Sequence, residues 1–165
     1  MKYFFFPLVL LSLAITGCET EQNKKLLGAY FKYSVNGAPQ AEINDGSGLN
    51  NNIFDCDFQG DTALYINVSK LYEGAGFVVK SNSITDGVYT LDNTNRAYYT
   101  NPADRKRYYT SSHAKGTLTI KRSTFQAKTP MNTLEGTFSF QATDTATGKT
   151  FSISNGSFLM ERKLQ

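Results

Sequence analysis

The sequence predicts an all-β chain, a single antiparallel β-sandwich or flattened barrel that follows an N-terminal lipoprotein signal. Three observations predict it. Apolar and polar residues alternate in short runs, helical periodicity is nearly absent, and turn-forming residues recur about every ten positions.

Residues 1–17 have the three parts of an export signal: Lys2, an apolar run from Phe4 to Ile15, and the small pair Thr16-Gly17. The run is shorter than the roughly 20 apolar residues that a spanning helix needs. Cys18 stands where lipid attachment requires a cysteine, so it is expected to become the lipidated first residue of the mature chain. Several acyl chains together anchor stably, at about 0.8 kcal/mol per buried methylene. The expected partner is therefore a membrane, through the lipid on Cys18. The expected place is the outer membrane, facing the periplasm or the surface. Residues 18–27 read as a tether, with Glu19 and Glu21 next to the anchor, and residues 28–165 read as one β domain. With Cys18 modified, Cys56 has no disulfide partner in the chain, and in an oxidising compartment it is expected to be buried.

The strands follow in order. Phe31, Tyr33 and Val35 alternate with Lys32 and Ser34, and Asn36-Gly37 then turns the chain. Phe54, Cys56 and Phe58 alternate with Asp55 and Asp57. Leu64, Ile66 and Val68 alternate with Tyr65 and Asn67; the stretch from Lys70 to Glu73 fits a strand or a helix. Leu118 and Ile120, then Phe138 and Phe140, alternate with Thr and Ser. Each pattern is that of a half-buried strand. Gly60-Asp61, Gly74-Ala75-Gly76, Asp86-Gly87, Asn101-Pro102, Gly148-Lys149 and Asn155-Gly156 read as turns between strands. Arg96-Ala97-Tyr98-Tyr99-Thr100 and Arg107-Tyr108-Tyr109-Thr110 flank Asn101–Asp104 as two arms of one hairpin. Typical strand and turn lengths give about eight to ten strands.

Charge and chemistry bound the function. A formal net charge of +3, with Lys2 in the signal, argues against a dedicated nucleic-acid binder. One histidine, His113, and no paired-cysteine motif leave no zinc set, and no nucleophile elbow accompanies His113 with Ser111 and Ser112. Asp55 and Asp57 share a strand face about 6–7 Å apart, a spacing that serves a metal or a carboxylate pair but reads first as a solvated face. Asn44–Gly48 lacks the carboxylates of a calcium loop. Neither an enzyme nor a cofactor is expected.

The strongest binding candidate is the hairpin of Tyr98, Tyr99, Arg105, Arg107, Tyr108 and Tyr109. Tyrosine rings stack on the apolar faces of sugars, arginines supply directional bonds, and both residue types mark protein interfaces. The competing reading is structural: in each Tyr-Tyr pair strand alternation sends one ring to the core and one to water. Thr62 and Thr145 lie in Asp-Thr-Ala tripeptides that resemble an O-glycosylation acceptor pattern.

The last third of the chain carries Gly136-Thr137-Phe138-Ser139-Phe140, Gly148-Lys149-Thr150 and Asn155-Gly156-Ser157-Phe158. With Asn36-Gly37 and Asp86-Gly87-Val88-Tyr89, these motifs resemble those of an uncharacterised family of Gram-negative envelope lipoproteins, a domain of unknown function. The resemblance implies an all-β lipoprotein and transfers no catalytic residue. The expected function is a non-enzymatic binding module for a glycan or an envelope protein. A structural or assembly lipoprotein and a small-ligand carrier are the alternatives.

Overall fold

The computed structural model describes residues 29–40, 42–44, 52–59, 62–82, 84–126 and 130–163. The signal, Cys18 and the tether lie outside them, as do Asp45–Gly48 and Gly60-Asp61. Twelve strands run in order: β1 Tyr30–Val35, β2 Ala38–Pro39, β3 Ile43–Asn44, β4 Asn52–Gln59, β5 Ala63–Lys70, β6 Glu73–Lys80, β7 Gly87–Leu91, β8 Arg96–Thr100, β9 Arg107–Tyr109, β10 Gly116–Gln126, β11 Pro130–Thr143 and β12 Thr150–Lys163. The count exceeds the expected eight to ten because β2 and β3 are two-residue ladders on the edge of β1. Every pairing is antiparallel, and the described residues contain no helix.

The sheet is continuous and folds over itself. Its main path runs β2-β1-β12-β11-β9-β8-β6-β5-β4, with β10 joining β11 to β7. The long strand β11 makes the join: Pro130–Phe140 pair with β10, while Thr143 pairs with Tyr109 of β9. Inward rows from the two halves then meet. Phe77 of β6 lies 4.8 Å from Phe138 of β11 and 6.0 Å from Phe31 of β1, ring centre to ring centre. Phe31, Phe77 and Phe158 are fully buried and Phe138 nearly so. Burial of such rings supplies most of the driving force, and tilted or offset pairs add about 0.5–1.5 kcal/mol each. The result is the two-layered antiparallel architecture that the alternation predicts.

Three local readings are corrected. Gly74-Ala75-Gly76 lies inside β6, where a side chain at position 76 would meet the ring of Tyr98 at 2.6 Å. The glycine there serves close approach, not a turn. Asn155-Gly156 lies inside β12, at a bulge where Phe138 pairs with Gly156 but Phe140 with Ile153. Asn155 takes φ 52° there, and the extra residue bends the strand. Cys56 is half-buried rather than buried: it packs against the core, but β4 ends the sheet path, and among the described residues no strand pairs with its other edge. The ambiguous stretch Lys70–Glu73 is a hairpin, with Leu71-Tyr72 as its two-residue loop.

Candidate functional site

The β8–β9 hairpin forms as expected, with Tyr98 opposite Tyr109 and Tyr99 opposite Tyr108. Alternation splits each pair. Tyr99 and Tyr108 point inward and are 3% and 2% exposed; Tyr98 is half-buried and Tyr109 is 36% exposed on the other face. The six hairpin residues therefore do not form one site. Tyr98, Arg107 and Tyr109 share the outer face. Tyr99 and Tyr108 are core residues whose hydroxyls reach the rim, and Arg105 sits in the loop.

Register builds the outer face across five strands. Asp55, Asn67, Gly76, Tyr98 and Tyr109 stand opposite one another in a single row over β4, β5, β6, β8 and β9. Asp57, Tyr65, Val78 and Arg96 form the row on one side; Ser69, Gly74, Thr100 and Arg107 lie on the other. Intervening residues such as Ile66, Phe77 and Ala97 are buried, which fixes this face as the solvent side. The missing side chain at Gly76 lets the Tyr98 ring lie across β6, and its hydroxyl donates to Asn67 Oδ1 on β5. Arg107 stacks over the Tyr98 ring at 4.7 Å and Arg96 over Tyr109 at 5.0 Å. The two rings are 6.3 Å apart. Burial raises the Tyr98 phenol above its ordinary pKa; Arg107 opposes the shift, and Tyr109 and Asp55 add to it. The two carboxylates noted in the sequence thus border the tyrosine and arginine patch. Among the described residues no group of three or more His, Cys, Asp or Glu is placed to hold a metal ion.

A second feature lies at the end of the layers. Glu73 continues the inward row of Ala75, Phe77 and Val79 on β6, so its carboxylate sits at the mouth of the core. Tyr99 donates to it at 3.4 Å, and Tyr33 is a second phenol partner. Burial pushes the Glu73 carboxyl up, and the two phenols hold it back. Burial and the nearby Glu73 charge raise both phenols. Above this floor is an open cleft of about 290 Å³ with Ile43, Leu71, Tyr72 and Pro102 in its walls. Sequence reading missed Glu73, Tyr72 and Tyr33 as a group. The one local sign was an apolar pair, Leu71-Tyr72, in a loop without Gly, Asn or Pro.

Behind the hairpin, Tyr108 donates to Asp104 Oδ2 at 2.7 Å and Lys149 Nζ reaches the same oxygen at 3.0 Å. The Tyr108 hydrogen bond is the largest cause that holds the Asp104 carboxyl well below the usual carboxylate range, with Lys149 also contributing. This clamp ties the β8–β9 loop to the β11–β12 loop. Thr62 and Thr145 are both exposed, in the β4–β5 and β11–β12 turns. Ser112 Oγ lies 3.0 Å from His113 Nδ1 in an exposed turn whose amides are accepted by Ser111.

A family model described as Domain of unknown function (DUF6252) matches residues 36–160, most of the chain and nearly all of the β domain; the chain belongs to that family. No curated protein and no solved structure matches it.

Proposed function

We propose that this member of the DUF6252 family is a lipid-anchored protein of the bacterial envelope that binds a saccharide on the outer face around Tyr98 and Tyr109. The observation that carries the reading is the cross-strand row Asp55, Asn67, Gly76, Tyr98 and Tyr109 with Arg107 and Arg96 beside it. A pyranose presents C–H groups on its faces and hydroxyls at its edge. The two phenol rings offer π surface to the former. Asn67, Asp55 and the stacked guanidiniums supply acceptors and donors to the latter. The guanidinium on each ring keeps its N–H edge available, which suits a sugar carrying a carboxylate. The signal-like residues 1–17 and Cys18 support the anchor, and exposed Thr62 and Thr145 are available for glycosylation.

Retention of the purified protein on immobilised envelope polysaccharides tests the binding. Tyr98→Ser, Tyr109→Ser and Arg107→Ala are expected to fold and to lose retention at least about tenfold, equivalent to 1.4 kcal/mol. Full retention by all three would remove the reading. Intact mass of the protein from its native membrane tests the modifications: the mass of an unmodified Met1–Gln165 chain would contradict both lipid and glycan.

A further inference from the structure

Two loops of this chain are built alike. In the β11–β12 loop the Gly148 N–H donates to the Asp144 carbonyl at 2.8 Å, and the Asp144 N–H to the Lys149 carbonyl at 2.9 Å. In the β8–β9 loop the Arg105 N–H donates to the Asn101 carbonyl at 2.8 Å, and the Asn101 N–H to the Lys106 carbonyl at 3.0 Å. In each, the first side chain accepts from the amide two residues on. The residue before the returning lysine has positive φ in both, 70° at Gly148 and 58° at Arg105. That backbone suits Gly and brings the Cβ of any other L residue against a carbonyl oxygen. One loop carries the favoured residue, and the other carries Arg.

The same departure occurs at Leu71. It is the first of two loop residues between the paired Lys70 and Glu73, and it has φ 56°. With positive φ at its first position, such a hairpin loop ordinarily takes Gly there. The remaining non-glycine residues at positive φ, Asn36 and Asn155, are of the type that tolerates it. Leu71 and Arg105 are thus the two bulky residues held there among the described ones, and they meet at one place. The Arg105 guanidinium lies 3.9 Å over the ring of Tyr72, and Leu71 and Tyr72 wall the cleft above Glu73. Burial does not explain Leu71, which is 65% exposed among the described residues, and Arg105 gains only its stack on a Tyr72 that is itself 53% exposed. Strained backbone with so little burial in return points toward function.

The chemistry of the cleft points to its occupant. Its walls are mostly apolar, with Gln40 among them. Lys70 lines it, and Arg105 lies against its wall, stacked on the Tyr72 ring; neither has an ion-pair partner among the described residues. The Glu73 carboxylate faces two phenols at the floor. We propose that this cleft is a second binding site, for an acidic polypeptide segment that seats one apolar side chain between Leu71 and Tyr72 and sets its carboxylates against Lys70 and Arg105. A guanidinium already stacked on a ring is oriented for paired bonds to a carboxylate. Aromatic and Arg anchors around a pocket are the usual centre of a protein interface. An anionic lipid surface would meet the same exposed tip but would leave the cleft unfilled. The site shares no residue with the Tyr98–Tyr109 face.

An array of immobilised dodecapeptides, graded from acidic to basic and carrying a central Leu, Phe or Ser, tests the proposal with the purified protein as probe. Acidic peptides with Leu or Phe are expected to retain it about tenfold better than basic ones or those with Ser. Leu71→Gly is expected to lose that retention while raising the thermal midpoint, two changes in opposite directions that a structural role would not produce. Tyr98→Ser should retain the peptides unchanged, which separates this site from the saccharide face. Retention indifferent to charge would overturn the proposal. So would a Leu71→Gly protein that binds normally or melts earlier, or peptide loss in Tyr98→Ser. Binding to phosphatidylglycerol vesicles without binding to acidic peptides would also overturn it.

Discussion

Replacing Tyr98 and Tyr99 by Ala, one at a time, probes two adjacent residues that the fold sends in opposite directions. Tyr99 is 3% exposed and packs against Phe151 at 5.1 Å and Tyr33 at 6.3 Å. Truncating a buried aromatic side chain costs about 3–5 kcal/mol, because the cavity closes only in part. The lost phenol also leaves Glu73 with one donor fewer. Tyr98 lies on the outer face. Its losses are a hydrogen bond to Asn67, about 1 kcal/mol net, and the Arg107 stack, about 0.5–1 kcal/mol at an exposed site. These two terms sum to about 2 kcal/mol, and the half-buried ring adds an apolar loss smaller than that of the buried Tyr99 ring. Domains of this kind are stable by about 5–15 kcal/mol, so Tyr98→Ala stays folded while Tyr99→Ala gives up a far larger share of that stability. Urea unfolding followed by circular dichroism measures both, with an unchanged slope marking an intact two-state transition. A Tyr98→Ala penalty equal to or above that of Tyr99→Ala would refute the inward and outward assignment, and the site built on it.

The remaining predictions concern the two carboxylates around the hairpin. Asp104 has a depressed folded-state pKa, so its stabilisation is present above the unfolded carboxylate value of about 3.9 and is lost as pH falls through the folded one. Asp104→Asn is therefore expected to lower the thermal midpoint at pH 7, and the wild type and variant midpoints should converge in acid; a gap that persists there contradicts the Tyr108–Asp104–Lys149 clamp. Glu73 has the opposite sign. Its folded pKa is raised, so the ionised form costs stability at neutral pH and the cost disappears as pH falls through that pKa. Glu73→Gln is expected to match or exceed the wild type at pH 7 and to flatten the pH dependence above about 4.5, its ordinary value; clear destabilisation at pH 7 would mean that the phenols outweigh burial.

What was legible in the sequence is what alternation encodes. Phe31, Tyr33, Leu64, Ile66, Leu118 and Phe138 announce buried rows because every second side chain of a strand points the same way. The same rule splits Tyr98 from Tyr99 and puts Asp55 beside Asp57. Register is not encoded locally. Nothing near Asp55 indicates that Asn67, Gly76, Tyr98 and Tyr109 will stand in line with it, since that follows from pairing five strands in space. Glycine misleads for a related reason. Gly76 and Gly156 sit in strands because a ring from the next strand occupies the space, and a composition rule reads them as turns. The cleft was hidden twice over. Glu73 looks like an ordinary surface residue until its row is traced inward, and Leu71 shows its positive φ only in the folded backbone.

Saccharide binding is proposed for the outer face of β4, β5, β6, β8 and β9. Backbone amide shifts of the isotope-labelled protein, recorded while a soluble envelope oligosaccharide is added, test it most directly. Saturable shifts are expected, centred on Asn67, Gly76, Tyr98, Arg107 and Tyr109, with Phe31, Phe138 and Phe158 in the core unmoved. Shifts absent from that row, or gathered elsewhere on the domain, would contradict it.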